Sequence, residues 1–257
     1  MAKIQKKHVS SEGWEGVAHW YTGWAGAGGS VYHRKLAIPA VMGLMNPREG
    51  QHILDMGCGP GALAQHICRR GAWYTGIDCS RKLLHFARRH NGGDRTRFLS
   101  GDATALQGHP ELDEGSFDGV VFLLSLQDIH PLEGAIDSAA WALRPGGQLV
   151  IFMTHPCFRV PRQSGWGWDA QRKLHYRRID RYLSALEVPM QPHERGRGTT
   201  RSYHRPLSQY FREIVQRRLV VDAFEEYAIP GEISRKFSGN ADNRDIPLFL
   251  AVRARKY

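Results

Sequence analysis

Three glycines at alternate positions, Gly57, Gly59 and Gly61, separate an apolar run ending at Met56 from an apolar stretch that begins at Ala62. Glycine is used in this way where a backbone must bend through conformations that other residues avoid, or where a ligand must lie directly against the main chain. The segment predicts a strand, a tight bend and a helix, and so commits the chain to an α/β fold. Taken alone it leaves the ligand open. Gly57-x-Gly59-x-x-Ala62 also satisfies the loose dinucleotide fingerprint, in which a pyrophosphate rests on a helix N-terminus.

The flanking pattern extends this architecture. Short apolar runs at His52–Met56, Trp73–Ile77, Thr96–Leu99, Phe117–Leu124 and Gln148–Met153 read as strands, separated by helical patterns over 61–70, 80–90 and 137–143. That alternation is the mark of a mostly parallel sheet with helices on both faces. Upstream, Tyr32–Met45 has helical spacing. After an interruption of about fifty residues, helical spacing returns at 207–217, and strands are expected at 219–227 and 247–253. The expected organisation is an N-terminal helical cap over 1–50, a core formed by 51–156 with 206–257, and an insertion over 157–205.

Charge sets the insertion apart. The chain carries 35 Lys and Arg against 25 Asp and Glu, a net of +10, and eleven of those cations against four acids fall between Arg159 and Arg205. That segment accounts for +7 of the +10, and Trp166, Trp168, Tyr176, Tyr182 and Tyr203 are interleaved with it. Such a mixture suits a lid over an anionic or aromatic ligand, a nucleic-acid face, or a solvated surface in which arginine stems pack on rings. No apolar run reaches the ~18 residues of a membrane helix. The polar segment His8–Glu12 stands where a secretory signal would be apolar. The four cysteines form no CxxC pair, so neither a zinc knuckle nor a disulfide framework is expected. No acid or histidine cluster has metal-ligand spacing, and no metal is expected. A cytoplasmic location is expected; the oligomeric state is not legible.

Three acids narrow the ligand. Asp78 ends the second strand, where a carboxylate can accept from ribose hydroxyls. Asp102 follows the third strand, in reach of an exocyclic adenine amine, and Asp55 flanks the glycine bend, where it can help hold an ammonium group. Adenine, ribose and an ammonium without phosphate describe S-adenosylmethionine better than a dinucleotide.

Asp55–Gly61, Gly76-Ile77-Asp78-Cys79-Ser80, Gly101-Asp102-Ala103, Phe117-Asp118 and Leu143-Arg144-Pro145-Gly146-Gly147 follow one another in the order and spacing of the class I S-adenosylmethionine-dependent methyltransferases, which the chain resembles. The resemblance implies a Rossmann-like, doubly wound seven-stranded sheet with its last strand antiparallel. It also implies S-adenosylmethionine as cofactor and S-adenosylhomocysteine as product. It places Gly57, Cys58, Gly59, Cys79, Ser80 and Ala103 with the three acids in the cofactor site. It further adds Tyr21 and Tyr32 as aromatics that close over the cofactor, and the backbone of Leu123 near the methionine amine.

Acceptor chemistry falls at the carboxyl ends of the fourth and fifth strands, which face the ligand crevice in such a sheet. His155 is the first candidate for a general base, imidazole titrating near neutrality; the alternative is that it shapes a wall or caps a loop. Gln127 and Asp128 are candidates for orienting the acceptor, or else for capping the next segment. Cys157, although preceded by Pro156, lies after the fifth strand and reads as a structural thiol. The expected activity is methyl transfer to oxygen, nitrogen or carbon of a small aromatic or anionic acceptor. The alternatives are a nucleic-acid methyltransferase, and a protein that binds the cofactor without transferring its methyl.

Overall fold

In a computed structural model, which describes residues 13–190, 199–229, 233 and 245–257, seven strands form one sheet in the order β10-β11-β5-β4-β1-β2-β3. The central strands β1 (His52–Met56), β2 (Trp73–Asp78), β3 (Thr96–Ser100), β4 (Phe117–Leu123) and β5 (Leu143–Thr154) pair in parallel. The last strand, β11 (Phe249–Lys256), runs antiparallel to both β5 and β10 (Leu219–Tyr227). This is the sheet that the motifs imply.

Successive residues of a strand face opposite sides of a sheet, so the inner strands feed two cores. Leu54, Val120, Phe122, Leu149 and Ile151 are buried in one core with residues of α5 (Leu132–Ala142) and α6 (Leu207–Gln216). Ile53, Val121, Val150 and Phe152 are buried in the other with residues of α2 (Ile38–Met45), α3 (Ala64–Cys68) and α4 (Arg81–Asn91). Asp55 shares the second face by alternation with Ile53.

Several elements differ from the sequence expectation. The helix expected over 61–70 is confined to Ala64–Cys68. Gly57, Gly59 and Gly61 all have positive φ, at 74°, 52° and 74°, so the bend runs on to Gly61 and delays the helix. Strand β5 begins at Leu143 rather than Gln148, and the Pro145-Gly146-Gly147 segment lies within the irregularity in its pairing with β4. Helix α5 starts at Leu132, directly after Pro131 and earlier than the expected Asp137. Between Tyr32 and α2 the chain makes a π-helical turn, His33–Ala37. Such turns concentrate at functional sites.

The insertion has structure of its own. It contains two antiparallel pairs, β6 (Ser164–Asp169) with β7 (Leu174–Ile179), and β8 (Leu186–Met190) with β9 (Thr200–His204). Two of its eleven cations, Arg195 and Arg197, lie outside the described residues. Helix α1 (Trp14–Ala25) precedes the core and packs on α4. Among the described residues, no helix is long and apolar enough to cross a membrane.

Candidate functional site

The glycine bend, the ends of β1 to β4 and helix α1 enclose a cavity of ≈ 210 Å³. Its floor is the bend. Gly57 N and Cys58 N both donate to Ile77 O, at 2.9 and 3.0 Å, which ties the bend to β2. A Cβ on Gly57 would stand 2.8 Å from Ser125 Cβ, and one on Gly61 would stand 2.6 Å from the Phe98 ring. Packing within the protein therefore excludes a side chain at these two positions. Gly59 is different: its nearest neighbour would be Tyr21 at 3.9 Å, so a side chain there would occupy the cavity itself.

Asp55, Asp78 and Asp102 all line this cavity. Asp55 is 1% exposed, and Tyr74 Oη donates to its Oδ2 at 2.7 Å while Oδ1, also buried, has no hydrogen-bond partner. Burial pushes its pKa up to about 7, against the opposing Tyr74 hydrogen bond and with a smaller contribution from the Asp78 charge. An unmatched buried carboxylate oxygen at the bend is where an ammonium group would be held most strongly. The carboxylate of Asp78 accepts from Gly59 N and Ser80 N, both at 2.8 Å. Two of its roughly four lone-pair directions remain for hydroxyls, and burial raises its pKa. Asp102 Oδ1 accepts from Thr104 N at 2.9 Å and from Thr104 Oγ1 at 2.7 Å. The donor set, an unmatched acidic oxygen and two further carboxylates around a bare bend, fits an adenosyl amino acid.

Of the other residues expected to hold the cofactor, Tyr21, Gly57, Cys58, Gly59, Cys79, Ala103 and Leu123 line the cavity. Ser80 does not. Its hydroxyl accepts from Leu83 N at 3.2 Å, capping α4, and donates to Glu15 Oε2 at 2.7 Å. Glu15 also accepts from Lys82 N at 3.1 Å, so α1 is latched to the start of α4, with Trp14 and Tyr21 facing the cavity. Tyr32 does not line it either, its ring lying 5.6 Å from that of Phe249. One residue on, and about 100° further round a helix, His33 takes that place. Burial takes the His33 pKa down to about 4, and Ser30 Oγ lies 2.9 Å from its Nδ1.

The acceptor candidates separate. Asp128 lines the cavity from the 3-10 turn Leu126–Asp128. Burial lifts its pKa to about 7, opposed by hydrogen bonding from Ser202 and Gln127 and by the charge of Arg205. Gln127 faces away from that cavity into a smaller one. His155 lies in neither. It is 1% exposed, its Nδ1 accepts from Cys157 N at 3.2 Å and its Nε2 lies 2.7 Å from Glu226 Oε1. With the proton on Nε2 both ring nitrogens are occupied, and burial lowers its pKa. His155 ties β5 to β10 through Glu226 and lies outside the cavity, whereas Asp128 is the acceptor-side candidate that lines it.

Several site residues were not legible. Ser125 Oγ donates to Met56 O at 2.6 Å and joins the ends of β4 and β1. Asn91 Nδ2 donates to Pro60 O at 2.8 Å and to Ala27 O at 2.9 Å, holding the bend against the N-terminal segment. Leu124 sits on the cavity wall with φ of 55°, a strained value for a branched residue of the kind that marks functional sites. No motif announces these residues, because their partners lie far away in sequence.

Residues 54–151 match the family model described as a methyltransferase domain. A ubiquinone biosynthesis O-methyltransferase of Alkalilimnicola ehrlichii is 39% identical over 106 residues, 41% of this chain and 42% of the relative. A demethylmenaquinone methyltransferase of Tropheryma whipplei is 33% identical over 108 residues, 42% and 44% of the two chains. The chain thus matches less than half the length of these curated relatives. The likeness to a crystal structure of an S-adenosylmethionine-dependent methyltransferase from Mesorhizobium loti is broader, with a TM-score of 0.70 and 26% identity over 85% of this chain and 96% of that one.

Proposed function

We propose that this chain, by fold and by domain a class I S-adenosylmethionine-dependent methyltransferase, moves the cofactor's methyl group to an oxygen of a small acceptor. The observation that carries the reading is the convergence of Asp55, Asp78 and Asp102 on one cavity around the Gly57–Gly59 bend. Asp55 would hold the ammonium, Asp78 the ribose hydroxyls and Asp102 the adenine amine. Bound there, S-adenosylmethionine supplies a methyl carbon already activated by its sulfonium. The protein has only to align an acceptor, exclude water and receive a proton.

Asp128 is the residue for that proton. With a pKa near 7 it is partly ionised at neutral pH and basic enough to accept from a hydroxyl as the oxygen acquires its new bond. Tyr21, whose pKa burial raises further, stays a neutral phenol on the lid helix. The insertion supports the turn that carries Asp128, since β9 packs on the 3-10 turn and Ser202 Oγ donates to Gln127 O at 3.5 Å. The O-methyltransferase relatives support oxygen as the acceptor atom. All four cysteines are free thiols, which fits the cytoplasmic setting that the sequence suggests.

Methyl-labelled S-adenosylmethionine, offered in parallel with catechol, salicylate and total RNA, tests this. Label in a small phenol with release of S-adenosylhomocysteine supports the reading. Label confined to RNA contradicts it.

A further inference from the structure

At the opposite end of the sheet from the cofactor cavity, the end of α2, the start of β5 and the end of β11 border a cavity of ≈ 310 Å³. Volumes of this order belong to small-molecule pockets. Arg48, Arg144, Arg253 and Arg255 line it, and among the described residues no acid does. Two carboxylates stand just behind the lining and hold three of these arginines in place. Arg253 and Arg255, two positions apart, share one face of β11. Asp222 Oδ1 accepts from Arg253 Nε at 2.7 Å and its Oδ2 from Arg255 Nε at 2.6 Å, so one carboxylate gathers both guanidinium groups. Asp222 can do so because it is the extra residue of a bulge in β10, between Val221, opposite Ala254, and Ala223, opposite Arg253.

Arg253 Nη1 also donates to Leu44 O at 3.0 Å, and Arg144 Nε donates to Asp118 Oδ1 at 2.8 Å. In each ion pair the carboxylate takes the Nε edge, which leaves Nη donors for another partner. The Arg48 side chain has no hydrogen bond or ion pair among the described residues. Four guanidinium groups against the carboxylates of Asp118 and Asp222 leave a net of +2 around the cavity. A phosphate monoester is close to a dianion at neutral pH and balances that charge; a carboxylate or a phosphodiester carries half as much. Gln148 adds a second requirement. It stands opposite Arg255 in the pairing of β5 with β11, it lines the cavity, and its buried Oε1 has no hydrogen-bond partner. A hydroxyl pairs with either end of an amide.

We infer that Arg48, Arg144, Arg253, Arg255 and Gln148 form a binding site for a small phosphate monoester with a hydroxyl close to its phosphate, as in a sugar or polyol phosphate. The arginine Nη groups clasp the phosphate oxygens, and the Gln148 amide takes the hydroxyl. The site shares no lining residue with the cofactor cavity, so the two ligands bind without competing. The inference goes beyond the methyl-transfer reading and does not depend on it.

Calorimetry in a buffer free of phosphate and sulfate tests it, with glycerol 3-phosphate, ethyl phosphate, acetate and a short single-stranded RNA as probes, each with and without S-adenosylhomocysteine. Glycerol 3-phosphate should bind at one site about 5-fold more tightly than ethyl phosphate, which lacks the hydroxyl. Acetate should not bind measurably, and S-adenosylhomocysteine should change none of these affinities. Arg48→Gln, a substitution of an exposed side chain, should weaken both phosphates by about 10-fold. Gln148→Leu should bring the two to within about 2-fold of each other. Absence of saturable phosphate binding, equal binding of the two phosphates by the wild type, unchanged affinity in Arg48→Gln, displacement by S-adenosylhomocysteine, or RNA binding more tightly than glycerol 3-phosphate would each overturn the site. None of these results would touch the cofactor reading, which S-adenosylhomocysteine binding tests by itself.

Discussion

The proposed cofactor side and the proposed acceptor side of the cavity are assembled in different ways. Asp55, Asp78 and Asp102 sit at or just beyond the ends of three neighbouring strands, each within a short motif, and the same bend that bares the backbone places all three. On the acceptor side, Asp128 stands on a turn whose support comes from the insertion, through Ser202 and Arg205, 75 or more residues further along the chain. A site built from local motifs tolerates little change within them. A site completed by an insertion can be retuned without disturbing the sheet, and there the chain's choice of acceptor would lie.

The sharpest way to break this contrast is to remove each side's key carboxylate in turn. Asp128→Asn should lower turnover by roughly 10²–10⁴-fold while leaving S-adenosylhomocysteine affinity unchanged. In the wild type, turnover should rise with pH through about 7, because burial raises the Asp128 pKa to that value and only the carboxylate accepts a proton. An unaltered rate in Asp128→Asn, or a pH profile that falls through 7, would remove the base. Asp78→Ala should act on the other side, weakening S-adenosylhomocysteine by on the order of 100-fold in calorimetry, since Gly59 N and Ser80 N lose their partner along with the ribose contact.

Within the bend, two glycines should fail differently. Gly61→Ala places a Cβ against Phe98 at positive φ, which should cost about 2–4 kcal/mol and lower Tm by roughly 5–15 °C. Gly59→Ala has room in the protein; it should cost only ~1–2 kcal/mol of stability but abolish cofactor binding. The smallest effect is expected at His155. Replacing it with Gln should cost about 1 kcal/mol in chemical denaturation and change turnover by about 2-fold or less, whereas a catalytic base would show a far larger loss.

The legibility of the chain follows the same division. A mostly parallel sheet could be read because strands buried on both faces are continuous apolar runs alternating with helical patterns; the seven strands with the last one antiparallel followed from the family resemblance, and the three acids from their places at or just beyond strand ends. Helix boundaries were less legible. Positive φ at Gly61 shortens α3, and a strand that starts before its glycines lengthens β5. His33 rather than Tyr32 lines the cavity because a one-residue step turns a helical side chain about 100°. Ser80 caps α4 by accepting from Leu83 N, and its hydroxyl is also taken up by Glu15, 65 residues earlier. His155 is engaged in a similar way: Glu226, 71 residues later, lies 2.7 Å from its Nε2. The Glu15–Ser80 and His155–Glu226 contacts are long-range partnerships that leave no local pattern.

Asp55, buried and raised to a pKa of about 7, would face the ammonium of an adenosyl amino acid. Titration calorimetry of S-adenosylhomocysteine in buffers of different ionisation enthalpy measures this directly. One site should appear, with close to one proton released per ligand at pH 6, little at pH 8, and none at either pH in Asp55→Asn. Binding of NAD in place of S-adenosylhomocysteine, or binding without proton release at pH 6, would contradict it.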